Sequence, residues 1–326
     1  MRRAGCAAPR VSGGERAVLT LAGYLAAVVV VAGVLSVPLF GALRALGLDP
    51  PFHDLTLRTA ELTALAGALV WLRLLGAGRE ALGLGGRPAL QLREGLLGLG
   101  LGVASIGVVI GLVLALGARV LRPEASLASL PGYFAAGLLV GLAVALIEEL
   151  WLRGGLLGAL ARYRPWPALW LTSGLYAVVH FVRADEPIDA LAVHWWSGFV
   201  VLAGSLGRLA NPGIVDSLLA LLAAGVLLAR LRLGCRGLAV CVGTHAGWVA
   251  GIYAARRLTE TEAGPAAWLV GGYDGVIGWL AFAVFGLTAL AAHRILPPPA
   301  PRAEAPSATA LGPGPDPTDD WARAGR

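Results

Sequence analysis

The run Ala145-Leu146-Ile147-Glu148-Glu149-Leu150-Trp151-Leu152-Arg153 sets two carboxylates and one guanidinium in a stretch that is otherwise apolar from Tyr133 onward. At mid-membrane each ionised side chain costs about 2.5–3.5 kcal/mol on insertion scales, so three together demand a purpose. Adjacent residues of a helix point about 100° apart. Glu149 and Arg153 are spaced i, i+4 with the Glu first, the favourable order for an ion pair, and Glu148 points elsewhere. Two readings follow. In one, Glu149 and Arg153 form a structural clamp and Glu148 bonds to a neighbouring helix. In the other, Glu148 is a general base tuned by apolar surroundings, with Glu149 and Arg153 fixing the local geometry.

Counting depth finds Glu148 a partner. It lies fourteen residues before Arg162, and His180 lies fourteen after Trp166, on either side of the turn around Arg162 and Arg164. At 1.5 Å per residue both sit about 21 Å from that turn, on antiparallel neighbours. A third element is His245, within Gly243-Thr244-His245-Ala246-Gly247-Trp248-Val249-Ala250-Gly251. The glycine ridge is offset about 200° from His245, so the helix can pack tightly behind while the imidazole faces a cavity. Other polar groups are read as structural: His53 in a loop, His194 at a Trp-rich boundary, His293 at a helix end, Arg58 with Glu61 as an ion pair, and Asp216 and Asp274 near helix starts.

These residues need a scaffold, and composition names its class. Of 326 residues 57% are hydrophobic and only 14% charged, with mean hydropathy +0.74. Soluble domains carry roughly 25% charged residues, so a water-soluble enzyme is excluded. Three cysteines, Cys6, Cys235 and Cys241, are too few and too scattered for a disulfide network or a four-thiolate zinc site. The net charge of +6 comes entirely from Arg, with no Lys, which reads as codon bias in a GC-rich genome. Basic charge falls in short loops, and no aromatic-interleaved basic stripe exists, so no nucleic-acid partner is expected. The expectation is an all-α polytopic helical bundle in the lipid bilayer of a bacterial plasma membrane.

A spanning helix needs roughly 20 mostly apolar residues. Candidate runs are 18–42, 55–76, 95–117, 132–160, 166–183, 191–209, 214–233, 237–256 and 268–294. The amino tail, the 77–94 loop and the turns at 161–165 and 230–236 are rich in Arg, whereas 43–54 and 184–190 lean acidic. All the basic regions reach one side only if 191–209 does not fully cross, which gives about eight spans with both termini inside. The chain divides into a polar tail over 1–17, amino-terminal helices over 18–122, a core over 131–256, a last helix over 268–294 and a Pro-rich tail from 297 to 326, expected to be disordered.

Taken in order, Glu148-Glu149-xxx-Arg153, then Tyr176-xxx-His180, then His245 in a later span, the chain resembles the CPBP family of intramembrane proteases. That family, also called ABI, comprises CAAX prenyl proteases and bacteriocin-processing enzymes. The resemblance implies an endopeptidase that cuts a membrane-associated protein or peptide substrate. It assigns water activation to Glu148 and His180, support to Glu149 and Arg153, and oxyanion stabilisation to His245. Glu148, His180 and His245 could also form a two-His, one-carboxylate zinc site, but the metal-free route is preferred and no cofactor is expected.

The chain departs from the family where a usual Phe is Tyr176 and a usual Asn is Val249, which offers no donor. Trp248, three residues after His245, is the candidate replacement, because its indole N–H is a donor only; the other reading is that it packs against lipid or a neighbouring helix. Two other classes compete. A proton- or ion-coupled transporter would use the carboxylates as coupling groups, though no inverted repeat supports it. A non-catalytic scaffold or immunity-type pseudoprotease would keep the fold without the chemistry.

Overall fold

The computed structural model describes residues 13–74, 78–182, 192–235 and 237–299, with side chains from 18 onward. The expected amino-terminal tail up to residue 12, the acidic loop 184–190 and nearly all of the Pro-rich tail lie outside the described residues. The architecture is helical: α1 (Gly13–Ala45), α2 (Phe52–Leu74), α3 (Pro88–Ala115), α4 (Leu130–Glu149), α5 (Gly158–Leu160), α6 (Pro165–Val179), α7 (Ser197–Gly204), α8 (Val215–Gly234), α9 (Ala239–Leu258) and α10 (Trp279–Ile295). The only strands described, β1 (Arg119–Leu121) and β2 (Thr259–Thr261), form an antiparallel pair that ties the end of α3 to the end of α9.

Small residues decide the packing. Helix α9 lies between α3 and α4. A methyl added at Gly243 or Gly98 would strike the Gly95 or Val240 carbonyl oxygen, and one at Gly247 would lie 2.9 Å from Leu99 O. On the other side, a methyl at Gly141 would lie 2.8 Å from Ala246 O. Lipid supplies no hydrophobic drive between helices, so such close backbone approach is what holds them together. The glycine ridge expected behind His245 is therefore the contact face with α3.

Helix α4 does not end at Glu149. It runs on as a π-helix over Leu150–Leu157 before closing in α5. The expected uniform span 132–160 is thus helical throughout but widened in its second half. Gly154 and Gly158 of this segment lie under the 78–85 loop, where added methyls would come 3.0 Å from Leu82 O and 2.6 Å from Ala81 O. Single π turns recur at functional sites because the extra residue re-aims the side chains on either flank.

Five described helices are long and apolar enough to cross a membrane: Val18–Ala45, Phe52–Leu74, Pro88–Ala115, Leu127–Leu160 and Pro212–Gly234. Among the described residues the run 191–209 holds the eight-residue α7, about 12 Å long, and the start of a 3-10 turn at Gly207–Ala210, and the stretch Ser197–Ala210 is too short to cross. The run 268–294 is a regular helix only from Trp279, and its first part is a loop. Asp274 accordingly sits in that loop, not at a helix start, and accepts the backbone N–H groups of Val276 and Ile277. Arg230 and Arg232, expected in a basic turn, belong to α8 and are buried. Each serves a carbonyl: Arg230 reaches Leu296 O at 3.4 Å, and Arg232 reaches Ala81 O at 2.7 Å.

Candidate active site

Three helices bring the charged residues together. Glu149, the last α residue of α4, is fully buried and joins two partners through one oxygen: Arg153 Nη1 at 3.3 Å and His245 Nδ1 at 2.9 Å. Arg153, on the π turn, is also fully buried. Its other arm reaches the Gly225 carbonyl of α8 at 3.4 Å, and its guanidinium lies 4.5 Å from the centre of the Tyr176 ring. The sequence-derived pair Glu149–Arg153 is present, but it is the lesser half of a cluster that also holds His245 and Tyr176.

Glu148, offset by about 100°, stays outside the Glu149–Arg153–His245 hydrogen bonds but borders the same cluster. It lines a cavity of about 760 Å³ together with Tyr176, His180, His245, Trp248 and Val249. Its Oε2 is buried with no hydrogen-bond partner among the described residues. A buried carboxylate oxygen without a donor is costly, and in a native site it marks a place kept for water or ligand. His180 caps the end of α6, and its Nδ1 lies 2.7 Å from the Tyr176 carbonyl oxygen. A carbonyl can only accept, so Nδ1 carries the proton and Nε2 is left with its lone pair. Glu148 and His180 are near enough to interact electrostatically. The depth count therefore brings the intended pair to one cavity.

For Trp248 the contacts favour the packing reading over the donor role. Its indole N–H donates to Ser105 Oγ of α3 at 2.8 Å, and that hydroxyl is in turn bonded to Leu101 O. An indole has one donor, so none remains for the cavity. Trp248 instead wedges α9 against α3 and α10, its ring 4.7 Å from that of Phe285. Val249 packs against Gly141. The other histidines stay apart from the site: His53 is in the first turn of α2 rather than a loop, His194 stacks on Trp196, and His293 meets Trp166.

Two residues at the far end of the cavity escaped the sequence reading. Arg256 and Arg257 line it with Tyr253, Tyr273 and Asp274. Eleven residues is about three helical turns, so Arg256 returns to the face of His245, and that spacing was the available signal. Arg257 bonds to the Tyr253 hydroxyl at 3.2 Å and lies over its ring. The adjoining loop is pinned by Arg119, which donates to Thr259 Oγ1, Thr259 O and Gly275 O, each at 2.7 Å. Burial draws the Arg119 guanidinium below its ordinary pKa, and the charge of Asp274 opposes that shift.

Zinc at Glu148, His180 and His245 can be tested on geometry. Each Nδ1 faces an acceptor, the outer-shell arrangement that leaves Nε2 as the nitrogen able to ligate. Among the described residues no three His, Cys, Asp or Glu side chains are grouped to hold a metal ion, and no step is routed through one.

Residues 130–251 match a family model described as Rce1-like, type II CAAX prenyl endopeptidase. No curated protein and no solved structure matches the chain. The matched segment begins at the first residue of α4 and ends within α9, so it contains Glu148, Glu149, Arg153, Tyr176, His180 and His245.

Proposed function

Because residues 130–251 belong to the CPBP/CAAX protease family, we propose that this membrane protein hydrolyses a peptide bond in a membrane-associated protein or peptide by glutamate- and histidine-activated water. The observation that carries the reading is the orphaned Oε2 of Glu148, buried beside a cavity that His180 and His245 also line. Glu148 takes a proton from water, and His180 Nε2 orients that water. His245, bonded to Glu149, can carry a second proton as an imidazolium and donate to the developing oxyanion. Arg153 holds Glu149 in place. A chain carrying Glu148→Gln, compared with the parent in a membrane proteome and on a prenylated CAAX-type peptide, tests the assignment. Parent-level cleavage by that variant overturns it.

The far end of the cavity supports a substrate cut near its own carboxyl terminus. Arg256 lies about 16 Å along α9 from His245, and arginine side chains lean back toward the helix start. A peptide extended at about 3.3 Å per residue covers that gap with three to five residues. We read α6, α9 and α10 as joining the five long helices to give eight crossings, with α7 lying short of a crossing, in a bacterial plasma membrane. The non-catalytic reading draws on Val249, and it stands or falls on whether another donor serves the oxyanion.

A further inference from the structure

We infer that the Tyr176 hydroxyl is the oxyanion donor of this site, supplying from α6 the hydrogen bond that Val249 on α9 has no group to offer; the inference rests on the proteolytic reading of the same cavity. A tetrahedral intermediate needs donors aimed at its oxygen, and removing one typically slows the chemical step by about 100- to 1000-fold. Four other groups around the cavity are spent, apolar or remote. Trp248 donates to Ser105, Val249 is apolar, and Arg153 is sealed behind the Tyr176 ring with its arms on Glu149 and Gly225. Arg256 lies about three helical turns away.

Tyr176 stands between the two histidines. Its ring meets His180 edge-on at 4.6 Å and His245 at 5.9 Å between centres. A buried tyrosine normally finds a partner for its hydroxyl, as Tyr24 does at Ala64 O. The Tyr176 hydroxyl has no hydrogen-bond partner among the described residues, yet it is not one of the sealed polar atoms that lack one. It therefore opens on the cavity that the residue lines. The guanidinium of Arg153, 4.5 Å from the ring centre, makes a cation–π contact that holds the ring in place. One residue thus orients the His180 imidazole through its carbonyl and offers the hydroxyl to the substrate.

In the step itself, water attacks the scissile carbonyl carbon and gives up a proton to Glu148. The new C–O bond forms as the carbonyl π pair moves onto oxygen, where the Tyr176 O–H and His245 donate hydrogen bonds without transferring a proton. Collapse returns the pair, breaks the C–N bond, and sends the proton held by Glu148 to the leaving amine. The products are one carboxylate end and one amine end.

The test uses the full chain in lipid nanodiscs, a quenched fluorescent prenylated peptide with a free carboxylate, and a non-cleavable phosphonate analogue of the tetrahedral state. Tyr176→Phe removes an oxygen that has no hydrogen-bond partner among the described residues, so melting stays at the parent value. We expect kcat to fall about 100-fold with KM within a factor of two. The phosphonate should lose affinity by the same factor while the uncut peptide binds as before, a split that a packing role would not produce. If Glu148→Gln is silent and Tyr176→Phe keeps kcat and phosphonate affinity within threefold of the parent, the donor role is overturned and the protease reading stands. If Glu148→Gln cleaves at the parent rate, it is the water-activating reading that fails.

Discussion

Glu149 and His245 meet in a 2.9 Å hydrogen bond across ninety-six residues of sequence, and both are buried. The bond joins the end of α4 to the middle of α9 at the depth where the π turn begins. It makes the second glutamate an orienting group for an imidazole as well as an anchor for Arg153. The two adjacent carboxylates thus have separate surroundings: Glu149 has two cationic or cation-capable partners, and Glu148 has a cavity.

That separation predicts different phenotypes. Glu148→Gln should abolish cleavage with the melting temperature nearly unchanged, since Glu148 Oε2 gives up no bond. Glu149→Gln should lower both, because breaking a buried charge pair costs about 3–5 kcal/mol. Thermal unfolding and single-turnover cleavage of both variants provide the check. Equal destabilisation with activity kept in Glu148→Gln would contradict the division.

For Trp248, the bond to Ser105 predicts a structural effect. Trp248→Phe should cost about 1 kcal/mol of stability through the lost hydrogen bond. The chemical step should slow by less than tenfold. A hundredfold drop at unchanged melting would return the indole to the list of oxyanion donors.

Metal dependence can be settled directly. Chelator treatment of the purified protein should leave cleavage unaltered, and elemental analysis should find well under one metal per chain. Stoichiometric zinc that vanishes when His180 and His245 are both changed to Ala would make Glu148 a ligand.

Recognition of a terminal carboxylate at Arg256 and Arg257 predicts a substrate-dependent defect. Changing both to Gln should raise KM for a free-acid peptide by about tenfold, in line with one charge-assisted contact. The same change should leave KM for the amidated peptide alone. Equal effects on acid and amide would rule out a carboxylate subsite.

Helix contact predicts a cost without a chemical signature. Gly243→Val would drive side-chain atoms into the Gly95 carbonyl and should destabilise the fold by about 1–3 kcal/mol. Residual activity per folded molecule should stay near the parent level, as measured on protein recovered by size exclusion.

What the sequence settled alone was whatever depends on spacing along one helix. The i, i+4 pair Glu149–Arg153, the separate aim of Glu148, the glycine face behind His245 and the membrane class all follow from helical period and composition, because a helix fixes those angles without help from its neighbours. The placing of Glu148 and His180 on one cavity was legible too, since two antiparallel helices joined by a short turn share a depth scale. Tertiary packing decided the rest. Which oxygen His245 would bind, that Trp248 would turn to Ser105, and that Arg230 and Arg232 would lie buried on carbonyls depend on the rotation and distance between helices far apart in sequence. No one-dimensional pattern encodes those. The π turn after Glu149 belongs with them: its Gly154 and Gly158 lie close against the backbone of the 78–85 loop, a contact between segments far apart in sequence.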